Sequence, residues 1–424
     1  MYIKTIEIKK EIVCDVAVVG GGCAGAFAAI CSSLNGADTL LIEKTSMPGG
    51  TITNCNVNYP GLFHAWGRQI ISGPCWQAIL KTAALGGSVL PDFRYSPENH
   101  WENQITVNTF IYTAVIEKMC ADAGVRPLYH TTAAFCEETV HGAEICAVGK
   151  DGMCIIHAKR IVDCTGDANI VQMLGCGVEK SDSLQPATLI NNIAGYNFDD
   201  IDPLDVKAKY RNALQSGKIS SADFQGCDPI RSLREKRIHM HLPCPNTSSS
   251  LQKTALETEA RKTLLRLVEF LRTVNGAENL YVSEFAAECG VRESVRIIGK
   301  TRMTAEKYIS GYMYPDAVAY CFYPIDKHLP DGIKQVFLKE SVVPTIPYGA
   351  LIPEGAGKII AAGRCAAGDA DAASAYRVQA ACMAMGQAAG TAAALSVKEK
   401  CELPCLNVPK IKDALVNIGA IVPQ

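Results

Sequence analysis

Four side chains in the second half of this 424-residue chain have the types and spacing for chemistry on a small polar molecule. Arg292 and Arg296 lie four apart, so a helix there would put both guanidinium groups on one face. Two such groups facing a cavity would recognise a carboxylate or similar oxyanion through paired hydrogen bonds. A structural ion-pair network with Glu288 or Glu293 is the competing reading. His328 follows Asp326 by two residues in Pro324-Ile325-Asp326-Lys327-His328, a segment expected to be a loop near Tyr323. Asp326 would orient the imidazole, and His328 would act as a general acid or base. His64 and Tyr59 are further candidates. His239 and His241 would share one face of an extended segment, but no third ligand is evident, so no metal is expected.

The element that must position this chemistry begins at Val16. An apolar strand runs into Gly20-Gly21-Gly22-Cys23-Ala24-Gly25, then a small-residue helix, then the strand Leu40-Leu41-Ile42 ending at Glu43. This order is the grammar of a dinucleotide-binding βαβ unit. Gly20 permits the tight turn and Gly22 a close backbone approach to a pyrophosphate. Gly25 permits close helix–strand packing, which aims the helix N-terminus at the phosphates. Glu43 falls where a ribose-hydroxyl acceptor belongs. The unit alone leaves NAD and FAD open. Lys44 leads into a loop containing Gly49, Gly50 and Thr51, and a Gly-Gly pair there suits passage beneath a bulky ring system such as a flavin. Two later strands end in Thr165-Gly166-Asp167 and in Gly363-Arg364, the second followed by a long helix expected from about Ser374 to Ala394.

Those three segments, in this order, resemble the FAD-dependent oxidoreductases of the glutathione-reductase-like superfamily. More narrowly, the chain resembles the bacterial fumarate-reductase-like or heterodisulfide-reductase-A-like flavoproteins. The narrower likeness rests on Gln185-Pro186-Ala187-Thr188-Leu189, Gly290-Val291-Arg292-Glu293, Arg296-Ile297-Ile298-Gly299, the Pro324–His328 segment, Arg377-Val378, Met383 and Gly386-Gln387-Ala388-Ala389-Gly390. It departs at Val295, where family members often carry one more arginine.

The resemblance implies an α/β fold: a Rossmann-like FAD-binding domain with an inserted α+β substrate or cap domain. It implies Asp167 beside the ribityl or pyrophosphate region, and a last long helix aimed at the flavin pyrimidine. Arg364 and Asp369 would flank the loop before that helix, with Arg377 in its first turn. His328 would then work beside flavin N5, and a small-molecule substrate would exchange hydride there; the alternatives are a flavoprotein electron-transfer subunit that relays electrons to a partner protein, or an FAD-dependent non-redox hydratase, isomerase or lyase. Cys55, His64 and Cys365 are candidates for covalent flavin attachment.

Along the chain, the FAD-binding domain is expected to be discontinuous, from 1–60, 105–185 and 345–424, with insertions at 61–104 and 186–344. Apolar residues at helical spacing predict a helix over 106–124 capped by Gly124, then a strand over 125–129. Alternation over 131–161 predicts a small β-meander, and 254–274 an amphipathic helix on the cap. No second GxGxxG has a strand before it and a helix after, so a separate electron donor or acceptor is expected in place of a built-in NAD(P)H domain.

Net charge is −2 with no long basic run, which gives no electrostatic support for nucleic-acid or anionic-membrane binding. Residues 1–10 lack the pattern of a signal peptide. Nineteen cysteines contain no CxxC, so they read as scattered small hydrophobes in a reducing, cytoplasmic setting.

Overall fold

The computed structural model describes residues 8, 10–95, 100–225, 228–243, 249–329 and 332–424. Most of the segment read for a signal peptide therefore lies outside the described residues. The fold is a mixed α/β arrangement built on a seven-stranded sheet. Strand β1 (Lys10–Val19) is its centre, and Val16–Val19 are all buried, as a strand covered on both faces requires. β1 pairs in parallel with β2 (Thr39–Ile42) on one side and with strand Gly152–Asp163 on the other. Strand Arg126–Leu128 extends the sheet beyond β2. The far edge of Gly152–Asp163 is shared. Its first half pairs antiparallel with Ala143–Gly149, which in turn pairs with Thr132–Glu138, while residues 161–163 pair in parallel with Ile359–Ala361. The expected meander and the helix Thr109–Ala123, capped by Gly124 in the left-handed conformation, are both present.

This register brings the carboxyl ends of three parallel strands together: Val19 lies opposite Asp163, and Asp163 opposite Ala361. Helix α1 (Cys23–Leu34) starts there. Gly20 has φ of +96°, and a Cβ on it would meet the Cys164 carbonyl at 2.5 Å. A Cβ on Gly25 would lie 1.7 Å from the Gly20 carbonyl oxygen, so the helix can start this close to the strand only with glycine there.

Helix Gln379–Glu399 crosses α1 with backbone in contact with backbone. Gly386 and Gly390 sit against the Ala24 and Ala28 carbonyls, one helical turn apart. By length and composition it could cross a membrane, but 89% of its most apolar window is buried inside the protein. The long helix predicted from about residue 374 is in fact two helices, Ala370–Tyr376 and Gln379–Glu399, broken at an extended Val378.

Two apolar cores are present. The larger combines the sheet, its helices and residues between 295 and 346; the second is drawn from residues 187–291. Helix Ser250–Leu271 buries Leu256, Ala260, Leu267 and Phe270 in the second core, at the spacing the sequence shows. Beside it, strand Ile190–Ala194 pairs antiparallel with Arg237–His239 and Tyr281–Phe285.

Candidate functional site

A cavity of about 1250 Å³ opens at the carboxyl ends of the parallel strands and extends to the second core. Gly20, Gly22, Cys23, Ala24, Glu43, Lys44, Gly50, Thr51, Thr165, Gly166, Asp167, Gly363, Arg364 and Arg377 all line it. Gly25 and Gly49 stand behind the wall, where they permit close packing. The α1 N-terminus has no side-chain cap, which leaves backbone N–H groups and the positive end of the helix dipole toward the cavity. Helix Gln379–Glu399 also starts at the cavity without a side-chain cap. The Glu43 carboxylate accepts from Gly21 N at 2.6 Å and from Thr45 N at 2.8 Å, so the acid is fixed at the end of β2.

Arg364 is the electrostatic pivot of the far wall. It donates to the Gly166 carbonyl at 2.7 Å and pairs with Asp167, whose carboxylate also accepts from Ser294 Oγ at 2.6 Å. Burial opposes charge on both groups, but their attraction outweighs it: Asp167 is held below and Arg364 above the ordinary value. Asp167 therefore does not cap the helix that follows. That role falls to Asp163, which sequence reading passed over. It is fully buried and accepts from Thr165, Ile170 and Val171 backbone N–H groups.

The wall opposite the glycines carries a chain of three side chains. Asp326 and His328 lie on strand Ile325–Leu329, not in the loop expected. Asp326 Oδ2 lies 3.0 Å from His328 Nε2, and His328 Nδ1 lies 2.8 Å from His241 Nε2. Gln335 Nε2 donates to Asp326 Oδ1 at 2.8 Å. Burial works against the Asp326 charge, yet the His328 hydrogen bond, His328 and Arg377 hold its carboxyl well below the usual range. An ionised Asp326 requires a proton on His328 Nε2. The lone pair on Nδ1 then accepts from His241 Nε2–H.

Burial pushes three imidazoles near the cavity far down, His328 to about 4 and His239 and His241 to about 3. All three are neutral in the fold at pH 7. Below an unfolded value of about 6.5, the unfolded chain takes up protons that the folded chain refuses. Stability is thus full above that pH and falls as pH drops toward 4, by up to about 1.4 kcal/mol per imidazole per pH unit. Urea midpoints at pH 7.5, 6.0 and 5.0 should decline steeply over the last interval. His239→Gln should flatten that decline, whereas a flat wild-type profile would contradict neutral burial.

Three sequence expectations are corrected. Arg292 and Arg296 do not share a helix face, because Arg296 lies on strand Val295–Ile297. It is 4% exposed, bonded to Glu293 at 2.8 Å, Glu179 at 3.3 Å and the Gly368 carbonyl, and it does not line the cavity. It belongs to the structural network; Arg292 alone faces the cavity, with Nη1 donating to the Pro186 carbonyl at 2.6 Å. Asp369 also lies off the cavity: it caps helix Ala370–Tyr376 and accepts from Ala305 N at 2.8 Å. Arg377 is on the cavity but at the end of that short helix, not in the first turn of the next. Of the thiols and imidazole considered for covalent attachment, Cys55 lines the cavity, while Cys365 is buried behind it and His64 stacks on Phe93. Cavity groups that the sequence reading missed are Gln379, Thr188 and Arg237. Gln379 could have been inferred from its place just after Arg377-Val378, and Thr188 from its place in the Gln185–Leu189 segment; nothing local distinguishes Arg237.

Among solved structures, an anhydrotetracycline hydroxylase (OxyS) from Streptomyces rimosus is 12% identical, with a TM-score of 0.46 over 95% of this chain and 64% of that one. A geranylgeranyl bacteriochlorophyll reductase-like protein from Thermoplasma acidophilum is 11% identical, with a TM-score of 0.44 over 96% of this chain and 92% of that one. A myxobacterial FAD-dependent chondrochloren halogenase (CndH) is 12% identical, with a TM-score of 0.45 over 96% and 79%. The chain thus spans about 64% of the length of the hydroxylase. No curated relative matches. The family profile described as FAD dependent oxidoreductase matches residues 15–415, nearly the whole chain, and the chain belongs to that family.

Proposed function

We propose that this FAD-dependent oxidoreductase moves hydride between its flavin and a small polar organic molecule bearing a carboxylate or carbonyl group. The Asp326–His328–His241 chain would handle the accompanying proton. The observation that carries the reading is the continuity of one cavity from the α1 N-terminus to His328.

The residues present fit the cofactor. Gly22 and Gly50 meet so closely that a Cβ on Gly50 would lie 2.8 Å from Gly22 Cα, which leaves bare backbone facing the α1 N-terminus. Buried polar atoms without partners remain on the wall: Gln379 Oε1, Arg377 Nε and Thr188 Oγ1. Gly20, Gly22 and the first α1 amides would hold the pyrophosphate, Glu43 the ribose hydroxyls, and Thr51, Arg364 and the start of helix Gln379–Glu399 the flavin end. Bound FAD supplies a hydride acceptor or donor at N5.

The remaining work falls to the chain's own side chains. Arg292 would hold the substrate oxygen and stabilise charge on it. His328 Nε2 is committed to Asp326, so Nδ1 is the exchangeable position once the contact with His241 yields. At neutral pH the imidazole pair holds two ring protons. A third, taken from substrate during dehydrogenation, makes the pair cationic, and the Asp326 carboxylate stabilises it. In the reverse direction the same atom returns the proton as a C=C or C=O bond is saturated. A separate electron donor or acceptor completes the cycle.

The purified protein should show a flavin absorbance band, and anaerobic titration with unsaturated carboxylates, hydroxy acids and artificial donors should change its redox state. Flavin that responds to none of these would remove the redox reading.

A further inference from the structure

Among the described residues, Arg237 is a buried cation with no anion beside it. It stands on strand Arg237–His239, lines the cavity and is 8% exposed. Its hydrogen-bond and ring partners among the described residues are all neutral. Nη2 donates to Asn58 Oδ1 at 2.7 Å and Asn56 Oδ1 at 3.3 Å, and Nη1 bonds the Tyr59 hydroxyl. The Tyr59 ring lies 4.8 Å from the guanidinium carbon, and His239 stacks on that ring. Glu284 acts on Arg237 only at longer range, with its carboxylate bonded to Asn192 Nδ2. Among the described residues, no carboxylate pairs with Arg237.

A guanidinium cannot shed its proton to escape this, and an uncompensated buried charge is strongly unfavourable unless something pairs with it. The surrounding atoms indicate what that is. Arg237 Nε and Asn56 Nδ2 are both buried, both hydrogen-bond donors and both without an acceptor. Two donors and one positive charge lack one acceptor bearing one negative charge.

We propose that Arg237, Asn56 and Tyr59 form an anion subsite that takes a carboxylate of the substrate. The inference rests on the oxidoreductase reading above and narrows its substrate class to carboxylates. A carboxylate matches the subsite in charge, and its two acceptor oxygens answer the two donors that lack one, Arg237 Nε and Asn56 Nδ2. The dinucleotide phosphates have their own place at the α1 N-terminus, on a different element. With Arg292 on the same cavity, one end of the substrate would be fixed at Arg237 while the reacting end lies toward His328.

Calorimetric titration of the flavin-loaded protein with acetate, crotonate and benzoate, each against its primary amide and against inorganic phosphate, tests this directly. At least one carboxylate should bind, and its amide about 10-fold or more weaker, the loss expected for a charge-assisted bond. Arg237→Gln should reduce carboxylate affinity about 10- to 100-fold and leave amide binding unchanged. Arg237 also fastens Tyr59 and Asn58, so two milder variants are included. Arg237→Lys keeps the charge without the Nε donor, and Asn56→Ala removes the second donor; each should weaken the same carboxylate several-fold.

The proposal is overturned if no carboxylate binds, if carboxylate and amide bind alike, if phosphate binds better, or if flavin-retaining variants bind as wild type does. Failure of the parent reading looks different: Arg237-dependent carboxylate binding would persist while the flavin remained redox-inert.

Discussion

Asp326→Asn should lower the rate of flavin reduction or reoxidation by substrate about 10²- to 10⁴-fold while flavin content stays at the wild-type level. The change keeps the shape of the side chain but reverses its hydrogen bonding. An amide nitrogen facing His328 Nε2, 3.0 Å away, donates where the carboxylate accepted. The imidazole must then carry its proton on Nδ1, toward His241, so the exchangeable nitrogen is blocked and the cation formed on proton uptake loses its counter-charge. His328→Gln should cost a similar factor, and the double variant little more, because the two groups act as one unit. Asp326 also accepts from Gln335 and its backbone N–H bonds Ser374 Oγ at 3.1 Å, so unfolding midpoints should accompany the rates. Two folded variants that reduce and reoxidise within threefold of wild type would exclude this pair from proton handling.

The second large effect is on folding. Gly386→Ala combined with Gly390→Ala should prevent accumulation of flavin-loaded protein. An added Cβ at either position would sit 2.0 Å from a carbonyl oxygen of α1, Ala24 in one case and Ala28 in the other. These atoms belong to helix backbone and cannot swing aside as a flexible side chain does. The two helices must separate along an interface where Ala24, Ala28, Met383, Ala389 and Ala393 are all buried. Overpacking of this kind costs about 1–3 kcal/mol per site and more where backbone must move, against a total stability of about 5–15 kcal/mol. The start of α1 would shift with it, and so would the phosphate-facing amides. Single variants should lower the thermal midpoint by several degrees and weaken flavin retention. A double variant with wild-type melting and flavin content would mean that the helices do not pack as described.

The dinucleotide unit was legible because it is local. Glycine spacing, a strand before, a helix after and a terminal acid all fall within residues 16–43, and each reports a backbone requirement that no distant residue can supply. Periodicity likewise revealed the helix ahead of Gly124, the meander and the amphipathic helix of the second core. Where a local signal was lacking, the reading ran on: no glycine or proline marks the break at Arg377-Val378, so one long helix was expected where there are two. Four-residue spacing suggested a shared helix face for Arg292 and Arg296, but pairing of Val295–Ile297 with Val178–Lys180 makes that segment a strand and encloses Arg296 among acids.

The chain's sequence alone therefore determined the cofactor class, the α/β architecture around it and the presence of Asp326 beside His328. Tertiary structure decided which polar groups meet. His241 reaches His328 across 87 residues, and Arg237 reaches Asn58 and Tyr59 across nearly 180. Such encounters depend on how the second core seats against the sheet. A side chain's solvent, its counter-charge and its free hydrogen-bonding atoms are set by that packing, and no pattern along the chain records them.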